Sequence, residues 1–343
     1  MSSGLILITG GTGFIGGHVV QQTLEAGYRA RLVVRREESI GNFKKVFSKH
    51  FSQLDFVVIR DFTKDGAFSD ALVGVDYIFH LASPIPGRGN DFKEDYLAPA
   101  TKGTISLLEA AQSVPSIKRV VIDSSAGALL PLDLSDVGSL EIKEGINRTI
   151  PIHPDSPLVT SPSATDMDKY NTSKVLAHRA CLDWVDQQSA AGALPFAVVT
   201  LHPSVVVGRH LLQPSPADPG SSNALLWDSL FAPAALIPMA GVDVRDVASA
   251  HVRALRPADA ELGEKGRVAE FVISAPDWTW QGVVDFVKKK YPGLGVTLDG
   301  SSGPDFKIRT ERAEKVLGIK WRPLEDAVGE LVDQQIEIGV AKR

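Results

Sequence analysis

A short apolar strand, a cluster of glycines and a helix follow one another at the start of the chain, and they constrain the fold more than any other segment. The strand Leu5–Ile8 contains only branched aliphatic residues, and Phe14–Gly27 has apolar residues at helical spacing. The loop Thr9–Gly16 between them reads Thr-Gly-Gly-Thr-Gly-Phe-Ile-Gly, which contains Gly-x-Gly-x-x-Gly. A glycine loop in this position predicts the first strand–turn–helix unit of a nucleotide-binding sheet.

The chemistry of this loop suits the phosphates of a dinucleotide. Glycines permit a tight turn and a close backbone approach to pyrophosphate, while the N-terminus of the following helix attracts the anion. The loop lacks the Gly-Lys-Ser/Thr ending of a nucleoside-triphosphate loop. We therefore predict that the cofactor phosphates are bound by Gly10, Gly11, Thr12, Gly13, Phe14, Ile15 and Gly16.

Further apolar runs alternate with helical segments through the first 200 residues. Strands without polar alternation, separated by helices, indicate a parallel sheet that is covered on both faces. The predicted fold class is α/β, a doubly wound parallel sheet of the Rossmann type with a smaller C-terminal portion. The predicted strands are Ala30–Val34, Leu54–Ile59, Val75–Leu81, Val120–Ile122, Phe196–Leu201 and Arg267–Ile273, and the helices include Ala98–Val114, Lys169–Ala191, Thr279–Tyr291 and Leu324–Ile338.

The chain is expected to divide into two portions. Residues 1–203 form the predicted dinucleotide-binding domain, and residues 204–343 form a smaller substrate-binding portion. A segment near residues 241–256 is expected to return to the first domain. Prolines and polar residues predict that Ala126–Met167 is mostly loop and that Gln213–Ser222 is a flexible connection.

Two arginines at the end of the second predicted strand favour a phosphorylated dinucleotide. Arg35 and Arg36 lie about 20 residues beyond the glycine loop, where an NAD-binding fold places an acid against the ribose 2′-hydroxyl. Guanidinium groups suit a 2′-phosphate instead, through charge-assisted hydrogen bonds. The expected cofactor is NADPH.

A tyrosine and a lysine four residues apart supply a candidate proton donor. Tyr170 and Lys174 share one face of the predicted long helix, and an ammonium near a phenol favours its ionised form. During reduction, the phenol can give its proton to a carbonyl oxygen. Ser124 and Ser125 follow the strand Val120–Ile122, at the edge of the sheet where ligands bind.

Together these segments resemble an extended short-chain dehydrogenase/reductase. Longer stretches are similar to its dihydroflavonol-reductase-like branch, which includes fungal and yeast ketone and aldehyde reductases. The similar stretches are Phe79–Pro84, Asp123–Gly127, His202–Gly208 and Asp243–His251, and the resemblance covers about Leu5–Ala254. Asp123, where the branch often has Thr, and the segment Asp243–Asp246 depart from the usual pattern.

The resemblance implies roles for individual residues. Ser125 would bind the substrate carbonyl, Tyr170 would donate the proton, and Lys174 would assist it and hold the nicotinamide ribose. Asp61 and Phe62 would flank the adenine. Ser124 is expected to be mainly structural, and further cofactor contacts are expected from Leu81, Ala82, Ser83, Pro203, Ser204 and Val205, with Lys44 a weaker candidate beside the 2′-phosphate.

Composition limits the classes of partner. The 343 residues carry 36 Lys and Arg against 41 Asp and Glu, a net charge of −5, which disfavours a nucleic-acid partner. Cys181 is the single cysteine, and the eight histidines form no compact ligand motif, so no metal site is predicted. No apolar run approaches the roughly 20 residues of a membrane span, and no leader pattern is evident. A cytoplasmic monomer or homodimer is expected.

The predicted function is NADPH-dependent reduction of a ketone or aldehyde. Two alternatives remain at this point: a sugar-nucleotide epimerase or dehydratase with tightly bound NAD, and a non-catalytic NADP-binding regulatory protein. The substrate is expected to be apolar, including aromatic compounds, because apolar residues occur in the segments Pro84–Phe92, Ala126–Pro162 and Ser204–Met239. Those residues are Pro86, Leu129, Leu130, Val159, Leu225, Leu226 and Trp227.

Overall fold

The central element of the molecule is a parallel sheet with helices on both faces. The computed structural model describes residues 4–84, 86–87, 89–131, 141–192, 194–213, 215, 219–264, 266–301 and 307–340, except the side chains of residues 42 and 221. The strands are β1 (Leu5–Thr9), β2 (Arg29–Val34), β3 (Leu54–Val58), β4 (Tyr77–His80), β5 (Arg119–Asp123), β6 (Glu141–Ile142), β7 (Ala197–Pro203), β8 (Val205–Val207), β9 (Gly241–Asp243), β10 (Ala269–Ile273) and β11 (Lys307–Ile308).

Ten α-helices accompany these strands within the described residues. They are α1 (Phe14–Glu25), α2 (Ile40–Val46), α3 (Ala98–Gln112), α4 (Pro157–Thr160), α5 (Asp166–Ala190), α6 (Ser221–Ser229), α7 (Val244–Arg253), α8 (Asp259–Leu262), α9 (Trp280–Lys290) and α10 (Leu324–Glu337). A π-helical turn, Phe92–Leu97, leads directly into α3. None of the described helices combines the length and apolarity that crossing a membrane requires.

Seven parallel strands form the main sheet in the order β10-β7-β5-β4-β1-β2-β3. The chain builds β1, β2 and β3 outward in one direction and then resumes at β4 on the other side of β1. The strand order therefore reverses between β1 and β4, and ligands of such sheets bind at this reversal. The doubly wound α/β prediction is confirmed.

Two apolar layers explain why the strands lack polar alternation. On one face, Val19 and Val20 of α1 and Val247 of α7 belong to a buried cluster that also contains Ile6 and Ile8 of β1. The other face holds a second cluster with members from β1, α3 and α5, which are Leu5, Leu7, Leu107, Leu108, Trp184 and Val185. Alternate residues of β1 are thus buried on opposite faces, as a sheet between two helical layers requires.

The C-terminal portion is not a simple appendage of the sheet. β10 lies at one edge of the main sheet beside β7, and α7 packs against α1. Around α9 and α10, a separate apolar cluster contains Trp280, Val284 and Leu331. The division at residue 203 stays a prediction, since β10 lies 66 residues beyond that boundary (269 − 203).

Local sequence explains the ends of the long helix α5. Thr165 and Asp168 cap its N-terminus reciprocally: the Thr165 hydroxyl accepts from the Asp168 amide, and the Asp168 carboxylate accepts from the Thr165 amide at 2.9 Å. The helix therefore begins four residues before Tyr170. The predicted loop ahead of it also contains β6 and α4, while residues 132–140 lie outside the described residues.

Candidate active site

The predicted site segments begin at one edge of the sheet. Thr9 of β1 pairs with His80 of β4, and His80 pairs with Ile122 of β5. On the far side of β5, Asp123 pairs with Leu201 of β7. Because all four strands are parallel, the residues that follow them lie along the same carboxyl edge. This edge brings together the glycine loop, Leu81–Ser83, Ser124–Ser125 and Pro203–Val205.

The glycine loop has a backbone path that side chains would obstruct. Gly10 has φ +72°, and a Cβ there would lie 2.7 Å from the Ala82 amide nitrogen. A Cβ on Gly16 would lie 2.1 Å from the Gly10 carbonyl oxygen. Gly13, at the N-cap of α1, makes no side-chain cap, so the first amides of the helix can bind an anion. The loop thus fits the pyrophosphate of a dinucleotide.

A buried histidine fixes the end of β4 beside this loop. Both ring nitrogens of His80 lie within hydrogen-bond distance of a threonine hydroxyl. The Thr9 hydroxyl is 2.9 Å from Nδ1, and the Thr104 hydroxyl is 3.3 Å from Nε2. The Thr9 hydroxyl also accepts from the Ala82 amide at 3.2 Å. Burial, with a smaller effect of the Lys174 charge, lowers the pKa of His80 to about 4, so its ring is neutral at physiological pH. The bonds position Leu81 and Ala82, two of the predicted cofactor contacts.

Helix α5 presents Tyr170 and Lys174 on one face. The Lys174 Nζ lies 5.5 Å from the centroid of the Tyr170 ring. Lys174 is buried, and its Nζ is 3.5 Å from the carbonyl oxygen of Ser124. The ammonium therefore lies close to both the phenol ring and the end of β5.

Ser125 follows the same strand, and its hydroxyl has a hydrogen to donate. Its backbone is extended, and its Oγ accepts a hydrogen bond from the Gly127 amide at 3.1 Å. An amide cannot accept in return, so the hydroxyl hydrogen is available for a substrate oxygen. The backbone carbonyl of Ser124 accepts a hydrogen bond from the Lys174 ammonium, and the structural role expected for Ser124 stays a prediction.

Two residues that the sequence analysis did not single out hold Ser125 in place. His202 Nδ1 lies 3.2 Å from the Ser125 carbonyl oxygen. Asn147 is fully buried, and its amide donates to the carbonyls of Ala128 and Val175 at 2.8 and 3.0 Å. Asn147 thus links the turn after Ser125 to α5. An isolated Asn in a long loop carries no sequence signal of this role, whereas His202 is the first residue of the family-like stretch His202–Gly208.

Two buried histidines and a partly buried glutamate behind Ser125 carry groups that often bind metals. His178, His202 and Glu270 place their ligand atoms within 4.8 Å of one another. Hydrogen bonds also account for these contacts, because His178 Nε2 is 3.1 Å from a Glu270 oxygen and His202 Nε2 is 3.0 Å from the Thr200 hydroxyl. Burial lowers the pKa of His202 to about 3. The three residues are far apart in the sequence, so the cluster was not predicted. His178 nevertheless lies four residues after Lys174, on the helical face that Tyr170 and Lys174 share.

The residues predicted around the adenosine lie on the other half of the sheet. Arg35 and Arg36 follow β2, are exposed, and make no ion pair within the described residues. Asp61 is exposed, and bonds from the Thr63 hydroxyl and amide lower its pKa. Phe62 is half-buried, with its ring 5.1 Å from that of Phe68. Two guanidinium groups in solvent suit a phosphate, and Phe62 partly belongs to the core.

The segment Pro203–Val205, at the end of β7, lies at the same carboxyl edge of the sheet, on the other side of β5 from the glycine loop. Pro203 ends β7, and Val205 begins β8. The Ser204 hydroxyl donates to the Ser274 hydroxyl at 2.9 Å, and its amide donates to the Ile273 carbonyl at 3.0 Å. Ser204 is therefore hydrogen-bonded to the end of β10 and to the residue that follows it.

The structure corrects part of the predicted substrate pocket. Leu129 and Leu226 have no exposed surface and belong to apolar core clusters, and Val159 is also buried, beside Phe92 and Tyr96. Apolar residues in an irregular segment can equally anchor that segment to the core, which composition does not distinguish. Pro86, Leu130, Leu225 and Trp227 retain partial exposure. Parts of Pro84–Phe92 and Gln213–Ser222 lie outside the described residues.

A cleft of about 630 Å³ lies elsewhere, between α1 and α7. None of the predicted site residues lines it. Arg209, Arg245 and Arg322 line this cleft, and each pairs with an acid of the protein. A much smaller cavity of about 30 Å³ lies behind Lys174.

Comparisons with known proteins agree with this architecture. A family described as the NAD dependent epimerase/dehydratase family matches residues 6–269. Ketoreductase sphI of Aspergillus fumigatus is 37% identical over 344 residues, covering 98% of this chain and 99% of the relative.

Solved structures show the same similarity. Gre2 of Candida albicans in complex with NADPH has a TM-score of 0.81 at 25% identity, covering 98% of this chain and 99% of that one. Yeast methylglyoxal/isovaleraldehyde reductase Gre2 with NADPH also has a TM-score of 0.81, at 22% identity, covering 97% and 98%. The chain belongs to the NAD-dependent epimerase/dehydratase family, as an extended short-chain dehydrogenase/reductase.

Proposed function

We propose that this protein is an NADPH-dependent carbonyl reductase that converts a ketone or aldehyde into an alcohol. The observation that carries the proposal is the position of Tyr170, Lys174 and Ser125 at the sheet edge where the glycine loop begins. Its relatives that are named ketoreductases support the same reaction class.

The residues at the edge of the sheet fit a phosphorylated dinucleotide. The uncapped N-terminus of α1 suits the pyrophosphate, and the exposed Arg35 and Arg36 suit a 2′-phosphate. When bound, NADPH supplies the hydride. The NADPH complexes of the similar Gre2 structures support this choice of cofactor.

Ser125 and Tyr170 have complementary roles toward the substrate oxygen. The Ser125 hydroxyl donates a hydrogen bond that orients and polarises the carbonyl. As negative charge develops on the carbonyl oxygen, the Tyr170 phenol transfers its proton to that atom. The Lys174 ammonium stabilises the phenolate that remains. The Ser124 carbonyl holds that ammonium near the sheet edge.

The proposed substrate is a small apolar carbonyl compound, including aryl ketones and aldehydes. Support comes from the half-exposed Leu225 and Trp227 of α6 and from Leu130. These side chains are apolar, which suits an apolar substrate.

The function can be tested by following NADPH absorbance with a panel of aryl ketones, diketones and aldehydes. We expect oxidation of one NADPH for each alcohol formed, with NADH a much poorer donor. Tyr170→Phe should abolish most turnover, while Tyr28→Phe serves as a matched control because Tyr28 precedes β2 at the other end of the strands. Full turnover by Tyr170→Phe would contradict the proton-donor assignment.

The description of the matching family also names epimerases and dehydratases, so a second experiment must distinguish these activities from carbonyl reduction. An enzyme of that kind would retain NAD during purification and convert a sugar nucleotide without net cofactor consumption. The exposed arginines after β2 favour NADPH over NAD. Release of NAD from denatured protein, together with no NADPH oxidation by any carbonyl compound, would favour the epimerase instead.

A further inference from the structure

Two buried polar atoms face each other behind the catalytic edge. Oδ1 of Asp123 and Nε2 of His251 lie 3.7 Å apart. The Asp123 side chain is 9% exposed and that of His251 is 0% exposed. Neither atom has a hydrogen-bond partner within the described part of the chain. Such orphaned groups are costly in a protein interior, so the pair requires an explanation.

The other contacts of His251 determine what the pair can share. Its Nδ1 lies 2.9 Å from the Val247 carbonyl oxygen, which can only accept, so Nδ1 carries a hydrogen. In a neutral ring, Nε2 then carries a lone pair and can only accept a hydrogen bond. An ionised Asp123 also only accepts. At 3.7 Å the two atoms are not hydrogen-bonded, but an approach of about half an ångström would let one proton on Asp123 satisfy both of them.

The position of Asp123 connects this pair to the proposed chemistry. Asp123 is the last residue of β5 and directly precedes Ser124 and Ser125. It lines the small cavity behind Lys174, whose volume of about 30 Å³ has room for a water molecule. Lys174 is a buried ammonium, and its charge acts on the Asp123 carboxyl. An ionised Asp123 would therefore compensate that charge.

We propose that Asp123 and His251 share one proton and that Asp123 is a positioning residue, which sets the charge beside Lys174 and thereby the pH dependence of carbonyl reduction. The inference rests on the proposed function for its kinetic consequence. The pairing itself depends only on the geometry of Asp123 and His251.

The surrounding groups place this titration near neutrality. Burial raises the pKa of Asp123 to about 7 and lowers that of His251 to about 4. His80 of β4 and His178 and Cys181 of α5 also line the cavity. Burial lowers the pKa of His80 to about 4 and raises that of Cys181 to about 12, and His178 bonds to Glu270. Asp123 is thus the carboxyl of this cavity whose pKa lies near 7.

The sign of the effect follows from the charges. Above about pH 7 an ionised Asp123 stabilises the Lys174 ammonium and partly cancels its field at Tyr170. A weaker positive field stabilises the negative charge of a phenolate less. Removing the Asp123 carboxylate should therefore move the basic limb of the rate profile to lower pH.

The kinetic experiment measures kcat/KM for carbonyl reduction from pH 5.5 to 10.5. In Asp123→Asn, whose amide can donate to His251 Nε2, we expect the basic limb to begin about one pH unit lower. Asp123→Ser is the second variant if Asn does not fold, since a hydroxyl also donates to Nε2. His178→Gln is the matched control and should keep the wild-type profile. Coincident wild-type and Asp123→Asn profiles, or a shift in His178→Gln alone, would overturn the proposal.

A second measurement needs no substrate. A carboxyl whose pKa is raised by folding stabilises the protein below its unfolded pKa, and this stabilisation is lost as pH rises through its folded pKa. The Tm of Asp123→Asn minus that of wild type should therefore grow from pH 4.5 to about 7 and then level off. A difference independent of pH would overturn the shared proton. The predicted pH dependence without any carbonyl turnover would instead support the pair and count against the proposed reductase.

Discussion

At the scale of single residues, the hydroxyl of Ser125 is oriented by its own backbone neighbourhood. The Gly127 amide donates to its Oγ, and His202 contacts its carbonyl oxygen. A donor held in this way needs no reorganisation when charge develops on a substrate oxygen. The geometry therefore favours the side chain of Ser125 over that of Ser124 for the proposed contact with the substrate.

We expect Ser125→Ala to lower kcat/KM for carbonyl reduction by about 10²- to 10³-fold, because one preorganised donor to the developing oxyanion is lost. The Kd of NADPH, measured by fluorescence titration, should change little. Ser124→Ala is the matched control, since Lys174 contacts the Ser124 carbonyl and not its hydroxyl. Equal losses in both variants would show that the hydroxyl of Ser125 has no special role.

Cofactor selectivity is also decided by individual residues. Arg35→Ala together with Arg36→Ala should weaken NADPH binding by about 10- to 100-fold, because charge-assisted hydrogen bonds to the 2′-phosphate are lost. NADH binding should stay the same. Arg29→Ala, an exposed arginine at the start of β2, provides the control. Isothermal titration calorimetry can measure the affinity of wild type and both variants for each cofactor, and parallel losses for NADPH and NADH would contradict a 2′-phosphate contact.

At the scale of elements, the first strand, glycine loop and helix form the structural basis of the site. Gly16 is the position where the backbone approach is closest, since an added Cβ would lie 2.1 Å from the Gly10 carbonyl oxygen. Because Gly16 has no side chain, the first turn of α1 can pack directly against the backbone that follows β1. The same contact determines where the amides of the first turn point.

Gly16→Ala should cost more than about 3 kcal/mol of unfolding free energy and reduce NADPH affinity, because the turn must open to admit the methyl group. Gly41→Ala is the control, as no atom lies within 4 Å of its added Cβ. In α2, that change should leave stability unchanged or raise it by about 0.5–1 kcal/mol. Urea unfolding measures both, and a wild-type midpoint for Gly16→Ala would contradict the packing argument.

Elements with a strong local pattern could be predicted from the sequence, and those defined by distant contacts could not. The predicted helix Ala98–Val114 corresponds to α3, and the predicted strand Ala30–Val34 lies within β2. The two-residue strands β6 and β11 pair with each other, although Glu141 and its partner Lys307 lie far apart in the sequence. No local periodicity reveals a pairing of that kind.

The site shows the same division. Tyr170 and Lys174 are four residues apart, so helical geometry alone predicts their common face. Asn147, His202 and Asp123 act through contacts with residues far away in sequence. Burial and partner geometry define these roles, and neither is visible in a single sequence. The buried Leu129 and Leu226 illustrate the opposite error, since apolar residues in loops resemble pocket walls.

At the scale of the whole molecule, one buried arginine ties the sheet to the segment that follows α7. Arg119 begins β5 and donates to the carbonyls of Ala254 and Pro257 at 2.7 and 3.0 Å. It also forms an ion pair with Asp259 at 2.6 Å. These contacts join residues more than 130 positions apart, so the nucleotide-binding sheet and the later part of the chain depend on each other.

Arg119→Met should lower the free energy of unfolding by about 2–4 kcal/mol, because buried carbonyls lose their donor. The exposed Lys118–Asp76 ion pair lies next to it, and Lys118→Ala should cost less than about 1 kcal/mol. Chemical denaturation followed by both fluorescence and circular dichroism distinguishes the two. If Arg119→Met were as stable as Lys118→Ala, the contact would not be part of the cooperative unit.

The central claim is that Tyr170 donates a proton while hydride is transferred to a carbonyl compound. The most direct test is single-turnover reduction by the NADPH-loaded protein, with NADPH absorbance followed after mixing with an accepted ketone or aldehyde. Tyr170→Phe should lower the rate by about 10²- to 10⁴-fold with NADPH affinity preserved. A wild-type single-turnover rate in Tyr170→Phe would contradict the account.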